Sequence, residues 1–420
     1  MGIKEQLIAQ IKGVGYSAYD VPSVLLDVPP VQAGFVPDVL GFLNADTYAT
    51  AWELAPRVLR NATAIHGKWE DSIESLVRAM DTVERTAIER PEHRLHLLHL
   101  VNVFLLGLYL YDISERVRTA VDKWAHATTP PKKYLRNGEE RDWLYSGGSP
   151  HGEFLYRWRL AATAHDIGTF ISVAGKDRRL VRERLMDLFD RCGATDSDGS
   201  RRRSTAWNLR VLHRLNRGVA EFSLLCHAIT HHVWPFRRAV YREHGLHGAL
   251  ILMEAMRLRF KQHGATGGAA FVEETDGGLI IWDECLMETS IRLAAQAVAL
   301  HNVDIHAAAH IGGHLPPMRL LASAVRCAQR KRLYDLDERP LAWLLKVSDS
   351  LQEWDKPKLR ELGAAVDLDK RTDAPAMEIS WDVALGRFIV RGLTPEQAQR
   401  LSRVEELTSP QGLFQFIQTS

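Results

Sequence analysis

Cysteine is scarce in this 420-residue chain: Cys192, Cys226, Cys285 and Cys327 are widely spaced and form no CxxC. That pattern implies neither a disulfide framework nor a zinc ribbon, and a reduced compartment fits best. Net charge is nearly absent, with 53 basic residues against 52 acidic. Such a balance gives no global pull towards a polyelectrolyte and leaves room only for a local basic patch. Long apolar runs are missing too. The most hydrophobic stretch, Leu95 to Tyr111, is short for a bilayer and is broken by His96, His99 and Asn102. The N-terminus, MGIKEQLIAQIKGVGYSAYD, lacks the apolar segment of a signal peptide. A soluble, cytoplasmic protein that meets no membrane is the expectation. Internal repeats are absent and strand-like alternation is rare.

What is present is helix. With 46% hydrophobic and 25% charged residues, a sizeable core is expected. Apolar residues recur at three- and four-residue intervals over 48–60, 68–90, 93–112, 114–126, 153–168, 177–191, 204–233, 245–262, 283–301, 317–330 and 340–355. Alternation is clearest at AFVEE and GLIIW, around Asp276-Gly277-Gly278, which predicts a β-hairpin insertion. MEISWD and RFIVRG suggest further strands near the C-terminus. The breaker-rich stretches HATTPPKKYLRNGEERDW, GATDSDGSRRRS and HGATGGA read as loops. A composition shift near 356–363 suggests a boundary. The expected layout is a mainly α protein in three parts: an N-terminal helical segment (1–90) packing on the core, a helical domain (91–358) and a small α/β appendage (359–420). Between Lys176 and Arg217, twelve Lys or Arg stand against six Asp or Glu. Such a run is either a solvated face or an arginine-rich lid for phosphate.

The chemistry gathers around ATAHDIGTF, where His165 and Asp166 interrupt an apolar run. Roughly one such dipeptide is expected by chance in a chain of this composition, so the pair alone says little. On a helix, His165 lies above Trp158, Ala161 and Ala162, a face whose small residues admit a neighbouring helix. Further candidates lie on other helices. His99 sits in the apolar helix of HLVNV, where an imidazole is costly unless hydrogen-bonded or metal-bound. His244 precedes GLHGALIL, His301 ends AVALH, and Asp349 lies in LLKVSDSLQEWDK beside an apolar stripe. His301 could equally complement a helix C-terminus. His96 is an alternative to His99, and His227, His231 and His232 compete with His244. His306, His310 and His314 form a separate cluster.

In order along the chain these residues spell H…HD…H…H…D, which resembles the HD-domain superfamily of metal-dependent phosphohydrolases from about Arg94 to Lys356. HDIG and SDSLQEWD look like a bacterial branch tied to signalling and conflict systems. Thr169 departs from the pattern, because many relatives carry Lys there. The resemblance implies an HD-type helical bundle whose metal ligands are His99, His165, Asp166, His244, His301 and Asp349. His165 and Asp166 would be the catalytic pair. Imidazole and carboxylate ligands without thiolate suit Mn²⁺, Fe, Co²⁺, Ni²⁺ or Zn²⁺ better than Mg²⁺. Two ions about 3.5–4 Å apart, bridged by Asp166, would activate a hydroxide for attack on phosphorus. Arg157, Arg159 and Lys346 are candidate phosphate contacts. The implied activity is hydrolysis of a phosphoester in a nucleotide or a cyclic (oligo)nucleotide. A nucleotide-sensing regulatory module without turnover and a single-strand nuclease are the alternatives.

Overall fold

The computed structural model describes residues 2–13, 25–26, 35–63, 77, 80–81, 84–85, 95–128, 132–136, 139–143, 150–168, 245, 248–249, 252–253, 271–275, 278–282, 284–301, 334–352, 371, 377–393, 395, 397–399, 401–402 and 412–418. In chain order they form α1 (Ile3–Gly13), β1 (Leu25–Leu26), α2 (Phe35–Asn44), α3 (Tyr48–Thr63), α4 (His96–Ile113) and α5 (Glu115–Thr128). Then come β2 (Lys132–Arg136), β3 (Glu139–Trp143), α6 (Pro150–Ala164), β4 (Phe271–Thr275) and β5 (Gly278–Trp282). The last elements are α7 (Glu284–Leu300), α8 (Pro340–Leu351), β6 (Glu378–Asp382), β7 (Arg387–Leu393) and β8 (Phe414–Gln418). The protein is mainly α.

The longest apolar stretch becomes the central strut, α4. A helix that is hydrophobic on every side must be buried on every side, and α4 touches α1, α3, α5, α6 and α8. By length and composition it could cross a membrane, yet 83% of it is buried inside the protein. Its first turn is capped by Glu84, whose Oε2 accepts the Leu97 N–H at 3.1 Å. One close approach fixes its angle to α6. A Cβ on Gly107 would lie 2.0 Å from Trp158 Cζ2, so only glycine lets that indole lie against α4. The indole Nε1–H then donates to the Phe104 carbonyl at 3.0 Å.

Behind the α6–α7 contact lies a buried polar knot. Arg157 pairs with Glu153 one turn earlier at 2.9 Å and donates to Ser290 of α7 and Thr128 of α5. A paired charge with its hydrogen bonds made is one a core tolerates.

The β elements are small. β4 and β5 form the expected hairpin, with Thr275 opposite Gly278 across an Asp-Gly connection, and β1 adds a third strand. The stretch containing KKYLRNGEERDW is not a plain loop. β2 and β3 pair there, with Arg136 opposite Glu139 across an Asn-Gly connection, a dipeptide that favours tight hairpins. At the C-terminus β6 pairs antiparallel with β7, and β8 parallel with β7. This sheet stacks Phe388 and Phe414 on Trp343 of α8. Its β6 edge is closed by α1: Ile3 N–H donates to Met377 O, and the Gln6 amide both donates to and accepts from the Ile379 backbone. One hydrophobic cluster runs from α1 through α4 to this sheet.

Candidate metal centre

Four helices deliver the site. His99 stands at the end of the first turn of α4, and Asp349 stands near the end of α8. His165 and Asp166 form a turn immediately after α6, and His301 is the first residue after α7. The sequence reading puts the His165-Asp166 pair inside a helix running to 168. The α-helix instead ends at Ala164, with the pair in the turn that follows.

The last carbonyls of a helix have no partner within it, and here two histidines supply one. His165 Nδ1 lies 2.8 Å from Ala162 O, and His301 Nδ1 lies 2.5 Å from Val298 O. In each case the ring folds back onto the carbonyl three residues earlier. A carbonyl only accepts, so both rings carry the proton on Nδ1 and leave Nε2 with its lone pair. Beyond His301, Lys346 Nζ donates to His301 O at 2.7 Å and the Tyr334 hydroxyl donates to Leu300 O. His99 reaches the same state differently: its Nδ1 is hydrogen-bonded to the side-chain oxygen of Gln352, just past α8.

The three Nε2 atoms meet two carboxylates. His99 Nε2 lies 3.1 Å from His165 Nε2, 3.2 Å from Asp349 Oδ1 and 3.3 Å from Asp166 Oδ2. Asp166 turns its other oxygen, Oδ1, to His301 Nε2 at 3.7 Å, and Oδ2 is 3.9 Å from His165 Nε2. The His165 ring centroid is 5.1 Å from those of both His99 and His301. Lone pairs at 3.1 Å repel, so the arrangement requires a proton or a cation between them. His99, His165 and Asp166 could hold a metal ion, since one ligand atom from each lies within 4.8 Å of the others. The His165 and His301 rings are fully buried, whereas the His99, Asp166 and Asp349 side chains keep 15%, 14% and 24% of their surface, so the centre opens on the side of His99 and the two carboxylates.

The electrostatics differ from ring to ring. Burial pushes His165 down to about 4, against the pull of Asp166. Burial also acts to lower His99, but its hydrogen bond to Asp349 and the charges of Asp166 and Asp349 win, leaving it raised. For Asp349, burial would raise the carboxyl, yet the hydrogen bond and charge of His99 hold it well below the usual carboxylate range.

The structure brings His99, His165, Asp166, His301 and Asp349 together. His96 is buried elsewhere on the first turn of α4 and makes none of the contacts described for the centre. Two of the three candidate phosphate contacts are corrected by burial. Arg157 is fully buried and committed to Glu153, Ser290 and Thr128, and Arg159 is buried within the protein. Lys346 is half-buried beside the centre and donates one hydrogen bond to the His301 carbonyl, which does not exhaust an ammonium's donors, so it stays a candidate for phosphate. His244, His227, His231, His232, His306, His310, His314 and the 176–217 segment lie outside the described residues.

Two features escape the sequence reading. Gln352, three residues after Asp349, carried a positional signal in that spacing, since such residues share a helix face. Gly245 and Gly248 are the second. A Cβ on Gly248 would meet Ala164 O at 2.8 Å, and one on Gly245 would meet Val298 O at 2.9 Å and the His301 ring at 3.2 Å. These glycines lie against the ends of α6 and α7, and the signal was their three-residue spacing. No protein-family model matches the chain, nor does any curated protein or solved structure.

Proposed function

We propose that this chain is an HD-type metal-dependent phosphohydrolase or phosphodiesterase that cleaves a phosphoester of a nucleotide or cyclic (oligo)nucleotide. One observation carries the reading. Three imidazoles, each with Nδ1 held by an oxygen, turn Nε2 towards two carboxylates from four different helices. Metal-binding histidines have their second nitrogen fixed in this way, and the donor set fits Mn²⁺, Fe, Co²⁺, Ni²⁺ or Zn²⁺.

His99, His165, Asp166 and Asp349 would hold one ion. His301 faces the other oxygen of Asp166 and would belong with His244 to a second. A bound divalent ion would acidify a water and neutralise phosphoryl charge. The protein's own part is to hold the imidazoles neutral at Nε2, to bury the His165 and His301 rings from water and to leave the side of His99 and the carboxylates open to substrate. Asp166, with one oxygen towards each set of rings, is the residue on which the reading depends most.

The test is a turnover screen with Mn²⁺ and Ni²⁺ over cyclic nucleotides, nucleoside triphosphates, alarmones and short single strands, with bound metal measured. Phosphoester cleavage that disappears in Asp166→Ala supports the proposal. Tight nucleotide binding without turnover in any divalent metal would replace the enzyme with a sensor. Steeply salt-dependent binding of single-stranded DNA with cleavage would make it a nuclease.

A further inference from the structure

His99 cannot anchor itself as the other two rings do. His165 and His301 follow the last helical residue and fold back onto a carbonyl of their own helix. His99 sits at the end of the first turn of α4, where the carbonyls are already taken by the helix ladder. Its Nδ1 partner comes instead from 253 positions further on, the side chain of Gln352. That side chain is 1% exposed, and its backbone N–H is tied to Ser348 O at the end of α8. Asp349, from the same end of α8, takes the opposite edge of the ring. One helix end therefore grips both nitrogens of one imidazole.

We propose that Gln352 is a positioning residue that selects the metal-binding tautomer of His99. The proposal rests on reading the site as a metal centre. Only an acceptor at Nδ1 leaves the Nε2 lone pair facing Asp166, Asp349 and His165. An amide suits this place better than a carboxylate. It accepts without adding a third buried negative charge beside Asp166 and Asp349, a charge whose desolvation would weigh on the metal-free fold.

The experiment strips the full-length protein of metal and titrates it calorimetrically with Mn²⁺ and Zn²⁺. The Zn²⁺-loaded form is then examined by ¹⁵N NMR of the histidine rings. Gln352→Leu should bind metal about 10- to 100-fold more weakly, as expected for loss of a partner behind a ligand. Its His99 Nδ1–H resonance should be lost or shifted, while those of His165 and His301 stay. Gln352→Glu keeps the acceptor and should bind at least as tightly as the wild type, with a less stable metal-free form. Should Gln352→Leu not fold, Gln352→Asn replaces it: the amide is kept but cannot reach, and the same weakening is expected.

Equal affinity in the wild type and Gln352→Leu, or an unchanged His99 Nδ1–H signal, overturns the role of Gln352 alone. A wild-type chain that takes up neither metal overturns this proposal together with the metal-centre reading. Metal uptake weakened by Gln352→Leu, in a protein that turns over no phosphoester, keeps the role of Gln352 and removes only the hydrolase.

Discussion

The histidines that follow a helix C-terminus and the histidine in the first turn of α4 solve one problem in two ways. His165 and His301 are oriented by carbonyls three residues away, on chain already fixed by α6 and α7. His99 depends on α8, distant in sequence, for both Gln352 and Asp349. A locally anchored ring needs only its own helix to be folded. A ring anchored across the core needs two helices in register. The first kind should survive changes in packing, and the second should report them.

The largest expected effect is at the residue both kinds share. Asp166 faces His99 with one oxygen and His301 with the other. Asp166→Ala should lower metal affinity and any phosphoester turnover by more than about 100-fold, beyond the loss typical of a partner behind a ligand. Calorimetry and phosphate release measure it. If the variant keeps metal at wild-type affinity, the two classes of ring do not meet at one centre.

Packing changes come next. Gly107→Ala would push a methyl into the Trp158 indole and so separate α4 from α6. Gly248→Ala would push against Ala164 O, at the helix end itself. Each should cost about 1–3 kcal/mol in urea unfolding, the usual range for overpacking a core. The metal readout should then split them: Gly107→Ala disturbs His99 against His165, whereas Gly248→Ala presses on the end of α6 and leaves the His99–Gln352 pair intact. Lys346→Met should have a smaller effect, about 0.5–1.5 kcal/mol for a hydrogen bond lost. It should leave the His301 Nδ1–H signal in place, because that ring is held by Val298 O.

The sequence makes the helices legible because their apolar faces pack on a single core, so α3 to α8 lie near the ranges that periodicity predicts. It misplaces the end of α6, since nothing in a period of 3.6 shows that His165 will cap its own helix. It reads the β2–β3 hairpin as a loop because Pro130-Pro131 weighs more than the Asn137-Gly138 signal. For the site, the order of His99, His165, Asp166, His301 and Asp349 is visible, since each sits beside an apolar stripe that needs a polar partner explained. Arg157 is misread because charge near a site suggests substrate, and only packing reveals that Glu153 already engages it. Gln352 is missed because an amide carries no charge and has no motif.

The smallest effect is also the one that separates the two classes of ring most cleanly. In metal-stripped protein, His165 should stay neutral down to about pH 4, and His99 should stay protonated above the ordinary histidine value. The consequences for stability have opposite signs. At His165 the folded pKa is depressed, so between about pH 6.5 and 4 the unfolded chain binds more protons, and stability rises with pH across that window. At His99 the folded pKa is raised, so its contribution is fully present below the unfolded value and is lost as pH rises through the folded one. Histidine ring NMR across that range should show one midpoint on each side of 6.5. The stability difference between wild type and His99→Gln should shrink as pH rises, and that between wild type and His165→Gln should grow. Metal uptake needs the His99 Nε2 lone pair, so affinity should climb over the interval in which His99 gives up its proton. Two midpoints on the same side of 6.5 would mean that the carboxylates favour both rings alike, and the distinction between local and cross-core anchoring would then carry no electrostatic consequence.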